Sequence, residues 1–390
     1  MSAAITGAAC AVASLMAAGC ALALVRSAPR HRLSLDDAAG PQKLHRTPTP
    51  RIGGVAVALG VLAGVCTEQA LAGAVSTAWI FLACVMPGLI WGLIEDFSKR
   101  GAVLVRLVLT GISAMLGFVL LDARITEVGL PLVDSLLAVP AFSFAFTVLA
   151  VAGAGHAMNI IDGLNGLAGM NALLASAGLA VVAWIVGDTF VFSLACVLAA
   201  SVAGFLLINY PGGRIFLGDG GAYLAGLMLA ELSILLVQRN SEVSPWFPPL
   251  LLAYPVWETI FSIYRRRIHG SSPGHADALH LHSLVYRRVV RWNGGTGSAS
   301  DCVTRNSLAS LVLWGLPLLC WIFAIALWNF TAALQAAALG FVILYGLLYR
   351  QIVRFGVPAW LVIRLDVQAA AASDYVRAIV ADPDTVVEGR

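Results

Sequence analysis

Charge is what this chain has least of: Asp, Glu, Lys and Arg make up 12% of its 390 residues, against 59% hydrophobic. Usable cysteine chemistry is missing as well. Cys10, Cys20, Cys66, Cys84, Cys196 and Cys320 fall in apolar runs and only Cys302 in a loop, with no CxxC pair, which removes metal thiolates, a disulfide framework and redox chemistry from the functions to consider. No Lys or Arg precedes the first apolar run, residues 3–25, whereas Arg26, Arg30 and Arg32 follow it at once; that favours a retained anchor with its N-terminus outside over a cleaved signal peptide. There is no tandem repeat and no low-complexity linker, and the net charge of +3 gives no reason to expect a nucleic-acid partner. Short alternating segments, the mark of a transmembrane barrel, are absent too.

What is present is apolar sequence in lengths of about 20 residues, a mean hydropathy of +0.87 and 38 glycines. Backbone facing lipid must satisfy its own hydrogen bonds, so these runs predict helices: an all-α integral membrane protein, a polytopic bundle of about 11 transmembrane helices with catalytic cytoplasmic loops. The expected spans are 3–25, 52–71, 76–94, 102–121, 134–154, 167–187, 189–208, 221–238, 246–264, 307–328 and 331–349. With the N-terminus outside, Arg124 and Arg239 are the only basic residues left outside and Arg106 lies within a span; every other Lys and Arg falls on the cytoplasmic side, as the positive-inside rule asks. Residues 1–350 read as one membrane domain and 351–390 as a cytoplasmic tail.

The polar residues gather in the inner loops. Gly155-His-Ala-Met-Asn159-Ile-Ile-Asp162-Gly-Leu-Asn165-Gly brings an imidazole, two amides and a carboxylate between two apolar runs. Turn chemistry or a helix cap accounts for part of it. Around it stand Lys43-Leu-His45-Arg46 with Arg51-Ile-Gly53-Gly54, then Glu95-Asp96-Phe-Ser-Lys99-Arg100, then Asn209-Tyr-Pro-Gly-Gly-Arg214-Ile-Phe216-Leu-Gly218-Asp219-Gly-Gly221, then Arg265-Arg266-Arg267 through His280-Leu-His282. Glu95 and Asp96 read either as interfacial acids balancing Lys99 and Arg100 or as part of a reaction centre, and Asp219 either as a helix N-cap or as an anion-side ligand. The arginine run is an orientation signal, and His280 with His282 lacks the further ligands a zinc site needs.

In this order and spacing the five loops, over roughly residues 40–290, resemble the polyprenyl-phosphate N-acetylhexosamine-1-phosphate transferases, the membrane glycosyltransferase family 4 that includes the phospho-MurNAc-pentapeptide translocases. The resemblance implies transfer of a sugar 1-phosphate from a UDP-N-acetyl sugar to a polyprenyl (undecaprenyl) phosphate with release of UMP, the first step of a lipid-linked cell-envelope glycan. It implies a multi-pass inner-membrane enzyme with its site on the cytoplasmic face, Mg2+ with Mn2+ as an alternative, and room for a homodimer. Carried over residue by residue, Asp96 is the expected base, with Glu95 and Asp162 beside it as catalytic acids, and Asp219 the metal ligand. Asn159, Asn165, Asn209 and Phe216 are expected on the nucleotide, Lys43, His45, Arg51 and Lys99 on the phosphates, and His280 and His282, the family's histidine motif, among the substrate-binding residues. Glu95 stands where the family has Asp, Asn165 where it has Asp, and Lys99 where it commonly has a third acid, so a three-carboxylate metal cluster is not expected; His156 receives no role. A multi-span secondary transporter is the alternative, although its site belongs near the bilayer midplane rather than at one rim.

Overall fold

The computed structural model describes residues 3–31, 35–36, 48–72, 77–99, 101–268, 279–293, 299–356 and 362–366. Its helices are α1 (Ala3–His31), α2 (Gly53–Ala72), α3 (Ala78–Ser98), α4 (Val103–Leu120), α5 (Pro131–Leu137), α6 (Pro140–Ile160), α7 (Leu167–Val186), α8 (Thr189–Asn209), α9 (Gly218–Arg239), α10 (Phe247–Leu251), α11 (Ala253–Ile268), α12 (Leu281–Arg288), α13 (Ala299–Ala326) and α14 (Thr331–Val353). Strand is confined, among the described residues, to two short pairs: β1 (Leu35–Asp36) antiparallel with β2 (Thr49–Pro50), and β3 (Val290–Asn293) parallel with β4 (Ile363–Asp366). The all-α membrane architecture expected from the apolar runs is what the chain adopts.

Ten of the described helices are long and apolar enough to cross a bilayer. The run expected at 246–264 is instead two helices. Pro248, Pro249 and Pro255 each lack an N–H, so the ladder breaks at Leu252 between α10 and α11, and Glu258 with Arg265–Arg267 lowers the apolarity of the second piece. Together α10 and α11 still bring the chain back across the bundle. α9 ends at Arg239 beside Asp188 (3.8 Å), whereas α11 leads to His280 and His282 at the Gly163 loop on the opposite face. Ten helices and this broken pair make eleven passages. The run expected at 134–154 is also displaced: Pro140 starts α6, which runs on to Ile160, so Asn159 belongs to its last turn rather than to a loop.

α9 is the axis of the bundle. Its most apolar 18-residue stretch is 94% buried inside the protein, and α2, α3, α4, α6, α7 and α8 all pack on it. Without water to drive helices together, membrane bundles rely on small residues that let backbones approach. A Cβ on Gly92 of α3 would lie 2.6 Å from Gly220 Cα, and one on Gly226 of α9 would lie 2.7 Å from the Ala154 carbonyl oxygen of α6. The first contact sets the site, because Asp96 is one turn beyond Gly92 on the same face of α3. Gly92→Ala is therefore expected to push α3 off α9, at about 1–3 kcal/mol, and to lower the thermal unfolding midpoint of the detergent-solubilised protein without loss of helix content by circular dichroism.

Candidate active site

The first turn of α9 carries N–H groups that the helix itself cannot satisfy. Asp96 takes two of them: the N–H of Asp219 donates to its Oδ1 and that of Gly220 to its Oδ2, both at 2.9 Å. Asp162 takes a third from the other side, its Oδ2 accepting from Gly218 N–H at 3.0 Å. Gly218 adopts a φ of +78°, and a Cβ there would lie 2.6 Å from both the Arg51 carbonyl oxygen and Asp96 Oδ2, so this entrance to α9 demands glycine. Negative charge at a helix N-terminus is favourable in itself, and here it locks α3, the α6–α7 turn and α9 into one unit.

Asp219 then projects between Arg51 and Asn159. Arg51 Nη2 donates to its Oδ1 at 2.5 Å and Asn159 Nδ2 to the same oxygen at 2.6 Å, while Arg51 Nε lies 3.6 Å from Asp96 Oδ1. Arg51 is delivered by a short backbone ladder: Phe216 N–H donates to the Pro50 carbonyl, and the N–H groups of Gly53 and Gly54 donate to the carbonyls of Phe216 and Leu217. Asp219 Oδ2 and Asp162 Oδ1 have no hydrogen-bond partner among the described residues. Glu95 faces away from Asp96 and pairs with Arg106 of α4. Lys99, exposed at the end of α3, closes that helix in a left-handed conformation with its N–H on the Glu95 carbonyl.

Several residues expected on the nucleotide brace the backbone instead. Asn165 is buried; its N–H donates to Asn306 Oδ1 of α13 and its amide nitrogen to the Pro211 carbonyl at 3.2 Å and to Ser307 at 3.3 Å. Asn209 is buried too, its amide nitrogen donating to the Ile215 carbonyl at 2.6 Å across its own loop. Phe216 is half-buried beside the ladder that holds Arg51. His280 and His282 stack with ring centroids 5.4 Å apart, and the buried His282 ring covers Gly163, the neighbour of Asp162. Thus Asp96, Asp162, Asp219, Asn159 and Arg51 form one linked cluster, with the histidine pair against its α6–α7 turn. Lys43 and His45 lie outside the described residues.

Three residues of this region escaped the reading of the sequence. Arg106, the one basic residue inside an expected span, was visible as an anomaly, and the partner that explains it, Glu95, lies eleven positions earlier. His156 hydrogen-bonds Thr110 Oγ1 at 3.1 Å and packs edge-on against Tyr223 at 5.3 Å. Beside them, Glu95 Oε2, Arg106 Nε and Tyr223 Oη are buried with no hydrogen-bond partner among the described residues. Buried polar atoms left in this way call for polar partners.

Residues 78–237 match the model of glycosyl transferase family 4. Over that segment the chain resembles that family. It is 29% identical over 242 residues to a probable undecaprenyl-phosphate N-acetylglucosaminyl 1-phosphate transferase of Bacillus subtilis, covering 62% of this chain and 66% of the relative. It is 28% identical over 294 residues to a decaprenyl-phosphate N-acetylglucosaminephosphotransferase of Mycobacterium leprae (63% and 70% covered). An undecaprenyl-phosphate alpha-N-acetylglucosaminyl 1-phosphate transferase of Escherichia coli O157:H7 is 25% identical over 265 residues (66% and 70%). The chain thus spans about two thirds of the length of these relatives. The matched segment runs from the start of α3 almost to the end of α9, and so contains Asp96, Asn159, Asp162 and Asp219 but neither Arg51 nor the histidine pair.

Burial pushes the Asp162 carboxyl up from its ordinary 3.8 to about 6, against the pull of the Arg51 guanidinium and the Gly218 N–H. The folded state therefore holds a proton here that the unfolded chain has released, and this group lowers stability as pH rises from about 4 to about 6. Replacing Asp162 by Asn removes the effect. The difference in thermal midpoint between Asp162→Asn and the parent protein is expected to grow in favour of the variant across that window and to stay flat above it, as read by unfolding at a series of pH values.

Proposed function

We propose that this protein transfers an N-acetylhexosamine 1-phosphate from a UDP-sugar to a membrane polyprenyl phosphate, releasing UMP and forming a polyprenyl diphosphate sugar. The observation that carries it is the pair of carboxylate oxygens left open, Asp219 Oδ2 and Asp162 Oδ1, on either side of a helix N-terminus with Arg51 across it. Phosphoryl transfer needs little covalent chemistry from the protein; it needs alignment and compensation of phosphate charge. The printed names of the relatives, all sugar-1-phosphate transferases acting on polyprenyl phosphates, support the same reaction.

The residues fit a divalent cation. No three His, Cys, Asp or Glu side chains form a cage among the described residues, but Mg2+ characteristically takes one or two carboxylates together with substrate phosphates. Asp219 would hold Mg2+, or Mn2+, together with the substrate phosphates, and the bound ion would neutralise charge on the diphosphate of the donor. Arg51 reaches the same phosphates. Asn159 orients Asp219, and Asp96, both of whose oxygens are engaged by α9, holds that helix end rather than taking the proton as its place in the motif suggests. The open oxygen of Asp162 accepts the proton of an acceptor phosphate that arrives singly ionised. Arg106 is the group for that acceptor: it lies at the lipid edge of the site, with Val103, Leu104 and Leu107 exposed around it for a prenyl chain. An oxygen of the acceptor phosphate attacks the phosphorus that carries the sugar, the bond to the UMP oxygen breaks, and UMP leaves. The basic residues of the inner loops support a site on the cytoplasmic side of the inner membrane.

A transporter finds no such support. Glu231, 1% exposed on α9 against Gly117, is a charge-bearing side chain deep in the bundle, but no second polar group among the described residues joins it.

One phosphoanhydride is broken and one formed, so the reaction is expected to run backwards readily. Labelled UMP should enter the UDP-sugar pool only when prenyl diphosphate sugar and Mg2+ are both present; absence of exchange with several UDP-N-acetyl sugars would sink the proposal, and release of UDP would move the enzyme to another reaction class. Asp219→Asn should leave the thermal midpoint near that of the parent protein yet lower turnover on the order of 100-fold or more, the scale of losing one electrostatic group from a transition state. Full Mg2+-dependent activity in that variant removes Asp219 as a ligand.

A further inference from the structure

Behind the histidine pair stands a carboxylate that no step above uses. Glu258 of α11 is completely buried, and three donors converge on it. Its Oε1 accepts from His280 Nδ1 at 2.9 Å and from the Leu281 N–H at 3.2 Å; its Oε2 accepts from the Tyr345 hydroxyl at 2.6 Å. Ser262, one turn along α11, lies 3.1 Å from the same His280 nitrogen. Leu281 is the first residue of α12 and His280 its N-cap, so one carboxylate holds both the imidazole and the start of the helix that carries His282. A buried acid costs several kcal/mol unless it is fully hydrogen-bonded, and here each oxygen is engaged by a donor that belongs to another element.

The contacts form a continuous path. Tyr345 of α14 holds Glu258 of α11, Glu258 holds His280, His280 stacks on His282 at an interplanar angle of 6°, and His282 closes over Gly163 beside Asp162. A carboxylate accepts only, so Nδ1 of His280 must carry the proton that faces it, which fixes the tautomer and the plane of the ring. Both Glu258 and Tyr345 lie beyond residues 78–237, the segment matched by the family model.

We propose that Glu258, anchored by Tyr345 of α14, is a positioning residue that presents the His280–His282 pair to the diphosphate of the UDP-sugar. It rests on the transferase reading, and it gives α14 a task in donor binding although that helix adds no residue to the carboxylate cluster.

The test uses the full-length protein in detergent with prenyl phosphate, Mg2+ and UDP-N-acetyl sugars. Turnover by the parent protein comes first; if it shows none, the transferase reading fails and this inference falls with it. Given turnover, Glu258→Ala is expected to lower kcat/KM for the UDP-sugar about ten-fold or more, the scale of a mispositioned binding group, with KM for prenyl phosphate unchanged. Glu258→Gln can accept from His280 and Leu281 through its oxygen and donate to Tyr345 through its nitrogen, and should restore most of the loss. In a His280→Ala background Glu258→Ala should cost little more, because the acid acts through that ring. Equal losses for both substrates, additive losses in the double variant, or unaltered kinetics would each overturn the proposal. If Glu258→Ala does not fold, Tyr345→Phe decides: a smaller fall confined to the UDP-sugar supports it, and unchanged donor kinetics overturn it.

Discussion

Two backbone N–H groups at the start of α9 point into the carboxylate of Asp96, and a third points into Asp162. A helix that begins inside a membrane protein has no water to complete its first turn, so these donors must be met by side chains. Acids meet them best, since each adds favourable charge at the positive end of the helix. Once α3 and the α6–α7 turn are tied to α9 in this way, Asp219, the second residue of that helix, is placed between Arg51 and Asn159 with little freedom left.

The same arrangement explains why the contact between α3 and α9 is so close. Asp96 reaches the N–H groups only if the two backbones nearly touch one turn earlier, at Gly92 and Gly220. Packing and chemistry are therefore one constraint, and α9 is buried along almost its whole length because it must be approached from several sides to be capped, braced and paired. The opposite face has its own brace of a simpler kind: Asp188 accepts from Val191 N–H and from Asn240, with Arg239 alongside.

Charge is concentrated where it is compensated. Arg51 bridges Asp96 and Asp219, Arg106 answers Glu95, and His280 answers Glu258. Among the described residues Asp162 has no ion-pair partner, and burial penalises its charged form. The proposed reaction is well served by such a set, in which the fixed cations belong to acids until the phosphate oxygens of its substrates arrive to share them.

The fold class was legible from composition and run length, because twenty apolar residues in lipid have no alternative to helix. The rim on which the polar residues gather was legible as well: Asn159, Asp162 and Asp219 stand at the ends of apolar runs, where a span must meet water. Side-chain direction was not. Glu95 and Asp96 are neighbours in sequence, yet about 100° of helix rotation sends one to Arg106 and the other to α9. Asn165 and Asn209 have the residue types of a nucleotide pocket, and only the path of the 209–217 loop shows their amide nitrogens donating to the carbonyls of Pro211 and Ile215. Arg106 stood out in the sequence as a charge inside an apolar run and Glu258 drew no reading at all; a buried charge takes its meaning from its partner, and the partners lie eleven residues away in one case and at α12 and α14 in the other. The sequence by itself determined that the chain is a bundle of apolar helices and which of their ends are polar, since those follow from solvation of each segment alone; which polar group meets which was decided by tertiary structure, because hydrogen bonds and ion pairs depend on distances between segments that no single segment encodes.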